Sequence, residues 1–361
     1  MQKEKVMIVV SNLKIAGAQK MVEQLALAMD KNQYELNIIC LSSPCNSIIE
    51  KRLLDNNISI IFLNKKPGFQ YKMFSKIMFY VKKLKPSIIH THVTSWIYTF
   101  PIAMKKNICI LHTIHSRPNR QEDNTLVRKL ITFLYHHHVI VPVAISNEIK
   151  KEATQLYDLS ESEVEMVVNP VDYMSFSRVE KKKHEEVVYV NVARFDKVKN
   201  QLFLIKAFAK AYEKKPQIRL ILAGEGELME EAQHLSKALG IDNVVQFLGN
   251  VDNVPELFSI CDVFVLPSLT EGLPVSLLEA EAAGLPVIAS RIGGIPDIFN
   301  DNGYLIDVND ENALIESILS LTNDDIRAEK SKNSNEIAKQ YSADKVARKY
   351  EELYKKYWRG K

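Results

Sequence analysis

Eleven short runs of almost unbroken apolar residues, alternating with stretches of helical spacing, constrain the fold of this chain more than any other feature. The opening KVMIVVSNL leads through the small-residue turn Ala16-Gly17-Ala18 into MVEQLALAM, whose apolar residues recur at the helical period. ELNIICL, SIIFL, SIIHTH, ICILHTIH and VIVPVAIS follow as strands, with helical stretches such as residues 70–84 between them. A strand without polar alternation must be covered on both faces, and such strands alternating with helices build parallel sheets. The expected class is therefore α/β with doubly wound sheets.

At 361 residues the chain exceeds the size at which one core keeps growing, so two domains of roughly 150 to 200 residues are expected. The charged stretch 180–186 has the composition of a linker, and a second series follows it: VVYVNVA, IRLILAG, VVQFLG, VFVLPS and PVIAS. This predicts two Rossmann-like domains, residues 1–178 and 187–342. Residues 343–361 hold an amphipathic helix rich in Tyr and Lys that is expected to pack back on the first domain.

Charge is divided unevenly. Residues 1–183 carry 26 Lys and Arg against 16 Asp and Glu, and the remainder 21 against 28, which leaves +10 and −7. Between Asn56 and Gln121 there is no acidic residue, but there are nine lysines and two arginines. Lys72, Lys76, Lys82, Lys83 and Lys85 are interleaved with Tyr71, Phe74, Met78, Phe79 and Tyr80. The pattern fits either a solvated basic face with its aromatics in the core or an anionic partner, and residues 65–106 are read as a contact for an anionic membrane surface. Nucleic acid rests on the same basic segment alone and is not expected. The apolar run after Lys3 and Lys5 is too short for a secretory signal, and no run reaches the roughly 20 apolar residues of a membrane span. Cys40, Cys45, Cys109 and Cys261 form no CxxC pair, so reduced thiols, no zinc and a cytoplasmic place, peripheral on the inner face of the membrane, are expected.

In open α/β sheets ligands bind beyond the C-terminal strand ends, which makes the turns there informative. The first, Ala16-Gly17-Ala18-Gln19, lacks the GxGxxG of a dinucleotide site. Arg194 and Lys199 follow VVYVNVA just before a helix; they form either a metal-free site for a diphosphate or two surface bases. Gly224-Glu225-Gly226 permits close backbone approach, and the main chain of Gly249-Asn250-Val251 could read a base edge. Glu271-Gly272-Leu273-Pro274 opens a helix carrying Glu279, where an acid among apolar and small residues needs a ligand or partner.

Glu271 and Glu279, with seven residues between them in EGLPVSLLEAEAAGLPVIAS, resemble the signature of retaining glycosyltransferase family four, of the bacterial polysaccharide and glycolipid type. AGAQ, HTH at His90 to His92, TIHS at Thr113 to Ser116, AISN, NPVD, ARFDKVKNQ, LAGEGEL and FLGNV carry the resemblance over nearly the whole chain. It implies the GT-B fold, two Rossmann-like domains facing across a cleft. It further implies that Arg194 and Lys199 bind the donor diphosphate, Glu279 the ribose, and Glu271 with the amides of Gly272 and Leu273 the donor sugar. Gly17 would approach the sugar or phosphate, His115 would lie near donor sugar and acceptor, and His90 and His92 would stand on the acceptor side. Ala16 and Ala193 replace glycines common in the family.

The expected activity is retaining, metal-independent hexosyl or N-acetylhexosaminyl transfer, without a cofactor, from a nucleotide-sugar, by preference a UDP-sugar. The acceptor is a hydroxyl of a glycan or lipid-linked molecule, in capsule, exopolysaccharide or cell-wall synthesis. The alternatives are a noncatalytic partner subunit, and an epimerase or phosphorylase on the same fold.

Overall fold

The computed structural model describes residues 3–102, 108–118, 124–182 and 185–358. The chain divides into two compact units, one of residues 1–170 with 343–361, the other of residues 171–342.

The first unit holds a seven-stranded sheet in the order β3-β2-β1-β4-β5-β6-β7. Its strands are β1 (Glu4–Val10), β2 (Tyr34–Cys40), β3 (Ser59–Phe62), β4 (Ile88–His92), β5 (Cys109–Ile114), β6 (Ile140–Ala144) and β7 (Glu165–Met166). Every pairing is parallel. β4, β5 and β6 are buried along their whole length, the apolar β6 together with the histidines and threonines of β4 and β5. The helices are α1 (Gly17–Ala28), α2 (Ile48–Asp55), α3 (Lys72–Leu84), α4 (Thr125–His136) and α5 (Asn147–Tyr157).

The second unit has a six-stranded parallel sheet in the order β10-β9-β8-β11-β12-β13. Its strands are β8 (Val187–Val192), β9 (Ile218–Ala223), β10 (Val245–Gly249), β11 (Val263–Leu266), β12 (Val287–Ser290) and β13 (Gly303–Ile306). Its helices are α6 (Tyr173–Ser177), α7 (Gln201–Lys214), α8 (Met229–Ala238), α9 (Val254–Ser259), α10 (Val275–Ala282), α11 (Glu311–Ser320) and α12 (Asp324–Gln340). α6 packs on α10 and α12, with Phe176 tilted against Phe258 at 5.9 Å. Lys181 lies against this unit too, its Nζ donating to the carbonyls of Phe258 and Cys261 at 2.8 and 3.1 Å. Burial pushes its pKa down to about 8. Residues 183 and 184 of the charged stretch lie outside the described residues.

The last helix, α13 (Ala343–Tyr357), inserts Val346, Ala347, Tyr350, Leu353 and Tyr354 into the core of the first unit. Its Glu351 carboxylate accepts from the Asp30 amide at 3.0 Å. The apolar stripe of this amphipathic helix is thereby removed from water, which stabilises the unit by about 1.5–3 kcal/mol per fully buried large side chain.

The strands expected from apolar runs are all present. β7 and β13 are additions: β7 has only two residues, and β13 has a half-exposed centre at the sheet edge, so neither shows a buried run. Among the described residues no helix is long and apolar enough to cross a membrane.

Strand order reverses between β1 and β4 in the first sheet and between β8 and β11 in the second. The crevices beyond the C-terminal ends of these pairs are where such sheets bind ligands. Ser47, Asn124, Ser146, Asp172, Asn253, Asp310 and Asn323 cap their helices with a side-chain acceptor. α1, α7, α8 and α10, which follow the turns singled out above, begin without one, as does α3. Of these, Met73 in α3, Met229 in α8 and Leu277 in α10 donate their amides to nearby carbonyls, and the other first-turn amides of α1, α7 and α10 are placed where an anion can accept from them.

Candidate functional site

In the second unit the loop after β8 is organised by Asp196. Its Oδ1 accepts from the amides of Val198 and Lys199 at 3.0 Å each, and its Oδ2 from Arg194 Nε at 2.7 Å. The Arg194 side chain remains 74 % exposed, while that of Lys199 is 21 % exposed. Lys199 Nζ stands 2.6 Å from Glu271 Oε1. The glutamate comes from the turn beyond β11, so the switch point brings together two residues that the sequence holds 72 positions apart. Around them, the Oγ atoms of Ser268 and Ser290 and the Oε1 of Gln201 are buried without a hydrogen-bond partner among the described residues. Ser268 lies just beyond β11 and Ser290 ends β12.

Glycines set the shape of these turns. A Cβ on Gly224 would stand 2.1 Å from the Ala193 carbonyl oxygen, and one on Gly226 the same distance from that of Phe195. The Gly224 amide donates to the Gly249 carbonyl at 2.6 Å. Gly224 and Gly226 therefore allow the loops after β8, β9 and β10 to touch backbone to backbone. Asn250 is exposed and Val251 half-buried beyond β10. Gly293, at φ +59°, holds the Glu271-Gly272 turn in the same way, since its Cβ would meet the Glu271 oxygen at 2.4 Å. The Gly294 amide donates to the Gly272 carbonyl. Asp196 and Gly293 were not among the expected site residues; the adjacent glycines after PVIAS are the one signal that marks the second of them.

α10 buries two acids, Glu279 and Glu281. Glu281 Oε1 accepts from Asn302 Nδ2 at 2.9 Å, its Oε2 has no partner among the described residues, and burial pushes its pKa well up. Glu281 thus has its partner in a side chain of the loop before β13, while Glu279, the acid for which a ligand or partner is expected, is 2 % exposed.

In the first unit Gly17 opens α1 and is exposed. His115 follows β5, half-buried, with Nε2 2.9 Å from His92 Nδ1. His90 is fully buried, and both of its ring nitrogens are engaged within the fold, Nδ1 with the Tyr354 hydroxyl and Nε2 with Thr113 Oγ1, each at 2.8 Å. On the other face of the sheet His112 Nδ1 lies 3.1 Å from Thr91 Oγ1. Burial pushes His115 down to about 4 and His112 to about 3, and holds His90 and His92 well below the ordinary range, so all four rings are neutral near pH 7. Among the described residues no group of three or more His, Cys, Asp or Glu is placed to hold a metal ion.

Comparison with known proteins places this geometry. Residues 15–174 match the model of "Glycosyltransferase Family 4", and residues 174–341 that of "Glycosyl transferases group 1". The UDP-Gal:alpha-D-GlcNAc-diphosphoundecaprenol alpha-1,3-galactosyltransferase of Escherichia coli is 26 % identical over 94 % of each chain. The N-acetyl-alpha-D-glucosaminyl L-malate synthase of Bacillus anthracis is 28 % identical over 80 % of this chain and 79 % of its own. Anabaena HepE, solved with UDP and glucose, superposes with a TM-score of 0.82 at 17 % identity, over 98 % of this chain and 99 % of its own, and shares the GT-B fold. With two matched models spanning residues 15–341 and both parallel sheets in place, the chain belongs to the family 4 glycosyltransferases.

Proposed function

We propose that the protein transfers a hexosyl or N-acetylhexosaminyl group, with retention and without a metal ion, from a UDP-sugar to a hydroxyl of a lipid-linked or glycan acceptor. The observation that carries this reading is the Lys199 to Glu271 contact at the switch point of the second sheet, beside the uncapped N-termini of α7 and α10. Support comes from the E. coli relative, whose name gives UDP-Gal as donor and a diphosphoundecaprenol acceptor, and from HepE, solved with UDP and glucose.

Arg194 and Lys199 would neutralise the departing diphosphate, a preorganised charge that counts most where negative charge develops. Glu279 would accept from the ribose hydroxyls. Glu271, steered by Lys199, would take the donor sugar with the amides of Gly272 and Leu273, while the main chain of Asn250 and Val251 would meet the base and that of Gly224 and Gly17 the donor. His115 would serve the transferred sugar. Front-side attack, in which the leaving phosphate accepts the acceptor's proton, needs no protein nucleophile and is the mechanism we favour.

The structure also supports the reading of the basic segment as a membrane-facing surface. In α3 the stripe Met73, Ile77 and Val81 is buried. Tyr71 and Phe79, 72 % and 58 % exposed, share the outer surface with Lys72, Lys76, Lys82, Lys83 and Lys85, next to Phe69 at 65 %. Phe69 stacks on the buried Tyr98 at 5.5 Å, and Phe74 packs against both, so the outer aromatics not accounted for by such packing are Tyr71 and Phe79. Residues 103–106 of the expected surface lie outside the described residues.

Thermal unfolding in the presence of UDP-, GDP- and ADP-sugars tests the donor assignment, because a ligand bound by the native state alone raises apparent stability. A UDP-sugar is expected to raise Tm most. A shift with a GDP- or ADP-sugar and none with any UDP-sugar would overturn the choice.

A further inference from the structure

Asp196 directs its whole carboxylate at the loop that carries the two cations. Oδ1 accepts from the amides of Val198 and Lys199, and Oδ2 meets Arg194 through Nε at 2.7 Å and Nη2 at 2.5 Å. The first two bonds are the short-range pattern by which an aspartate fixes a turn. Those to Arg194 do something else. The main chain there is already fixed, since the Arg194 carbonyl accepts from Gln201 Nε2 at 2.9 Å and the Phe195 amide donates to the Glu225 carbonyl at 2.9 Å. An exposed ion pair adds little to stability. What this pair settles is the direction of a side chain that is 74 % exposed, held by an acid whose own side chain is 13 % exposed.

From this geometry we infer that Asp196 is a positioning residue that aims the Arg194 guanidinium at the donor diphosphate before the donor arrives. The inference deepens the proposed function, since it rests on Arg194 serving that diphosphate. Nε and one edge of Nη2 face Asp196, so Nη1 lies on the far edge of the guanidinium with N–H groups to give a phosphate oxygen. An arginine swinging in water would lose its rotamer freedom on meeting the donor, whereas one already oriented has little left to lose.

The charges around the site give the inference a signature. Each cation has its own acid, Arg194 with Asp196 and Lys199 with Glu271, so the two pairs together carry no net charge. A site of this kind meets the diphosphate with aimed donors rather than with excess positive charge. Aimed donors count most where charge develops as the bond breaks. Neutralising Asp196 therefore has two opposite effects on the bound ground state: the guanidinium loses its direction, which weakens binding, and the site gains a positive charge, which strengthens it. In the transition state the lost direction dominates.

Asp196→Asn separates the two uses of the carboxylate, because it keeps an oxygen for the amides of Val198 and Lys199 and removes the anion that takes Arg194. Proton–nitrogen correlation spectra of the full chain labelled with ¹⁵N-arginine read the pair directly, with the Arg194 Nε–H signal assigned from its loss in Arg194→Lys. Slow exchange of that proton with water is expected in the wild type and fast exchange in Asp196→Asn; fast exchange in both overturns the inference whether or not a donor has been found. With the donor from the thermal panel, Asp196→Asn should leave Tm as in the wild type and lower kcat about 10- to 100-fold, while UDP affinity by calorimetry changes less than about threefold. Arg194→Met should lower kcat at least as far, and adding Asp196→Asn to it should lower kcat no further. A wild-type kcat in Asp196→Asn, a loss of kcat that comes with a matching loss of Tm, or a full further loss on top of Arg194→Met would make Asp196 a turn residue and end the positioning role. If the wild type turns over no donor, the activity reading fails, while the arginine spectra still decide whether Asp196 holds Arg194.

Discussion

Lys199 and Glu271 meet at 2.6 Å with the glutamate side chain only 8 % exposed, so each fixes the other's position at the C-terminal edge of the second sheet. Lys199 is further held through its own amide, which donates to Asp196, the acid that also takes Arg194. The two cations and the glutamate assigned to the donor therefore act as one unit. Removing one member should disturb the others, so effects of paired substitutions in it should depart from additivity.

The two glutamates of the signature are expected to fail differently. Ribose does not change during transfer, so Glu279→Gln should chiefly raise donor KM. The sugar ring gains positive charge in the transition state, so Glu271→Gln should lower kcat on the order of 10- to 1,000-fold with a smaller loss of donor binding. Steady-state kinetics with calorimetric donor binding for both variants checks this, and a wild-type kcat for Glu271→Gln would remove the catalytic assignment.

Transfer should survive chelation. On the role proposed for Arg194 and Lys199 at the diphosphate, activity after dialysis against EDTA is expected to equal that of untreated enzyme. Loss on chelation with recovery on adding magnesium or manganese would show that the cationic pair is not sufficient.

Sedimentation with liposomes tests the outer surface of α3. Binding to anionic but not neutral vesicles is expected, at about 1 kcal/mol per basic residue near the surface. Changing Lys72, Lys76, Lys82, Lys83 and Lys85 to glutamate should return the protein to the supernatant, and equal recovery there for wild type on all vesicles would end the proposal.

Gly293→Ala should cost about 1–3 kcal/mol, since it combines a left-handed backbone with a Cβ aimed at the Glu271 carbonyl. Because the neighbour that must yield is the Glu271 turn, donor affinity should fall together with Tm. A variant that loses stability yet binds donor as wild type would show that the turn is not supported from Gly293.

Glu281 gives a pH dependence of known sign. Its folded pKa is raised by burial, whereas in the unfolded chain it ionises near the ordinary value of 4.5. As pH rises past 4.5 the unfolded state gains from ionisation that the folded state resists, so stability falls until the folded group also ionises. Glu281→Gln keeps an oxygen for Asn302 and removes the ionisation. Denaturant melts from pH 4.5 to 8 should show a shallower decline for the variant, and an unchanged slope would mean that Glu281 is charged in the native state.

The sequence alone determined the class of fold. Continuous apolar runs such as those of β1, β6 and β11 have no polar face to turn to water, and in alternation with helices they build parallel sheets covered on both faces. It also marked the turns after β8 and β11 and the helix with two acids, because composition at a strand end is a local property. Tertiary structure decided the pairings. Lys199 reaches Glu271 because β11 lies beside β8, and His92 reaches His115 because β4 lies beside β5. It also gave Glu281 its partner in Asn302, 21 residues on, and placed Gly293 under the Glu271 turn. The physical reason is that periodicity reports which face of an element is buried, whereas the identity of what it is buried against depends on strand order and register, which local sequence does not encode.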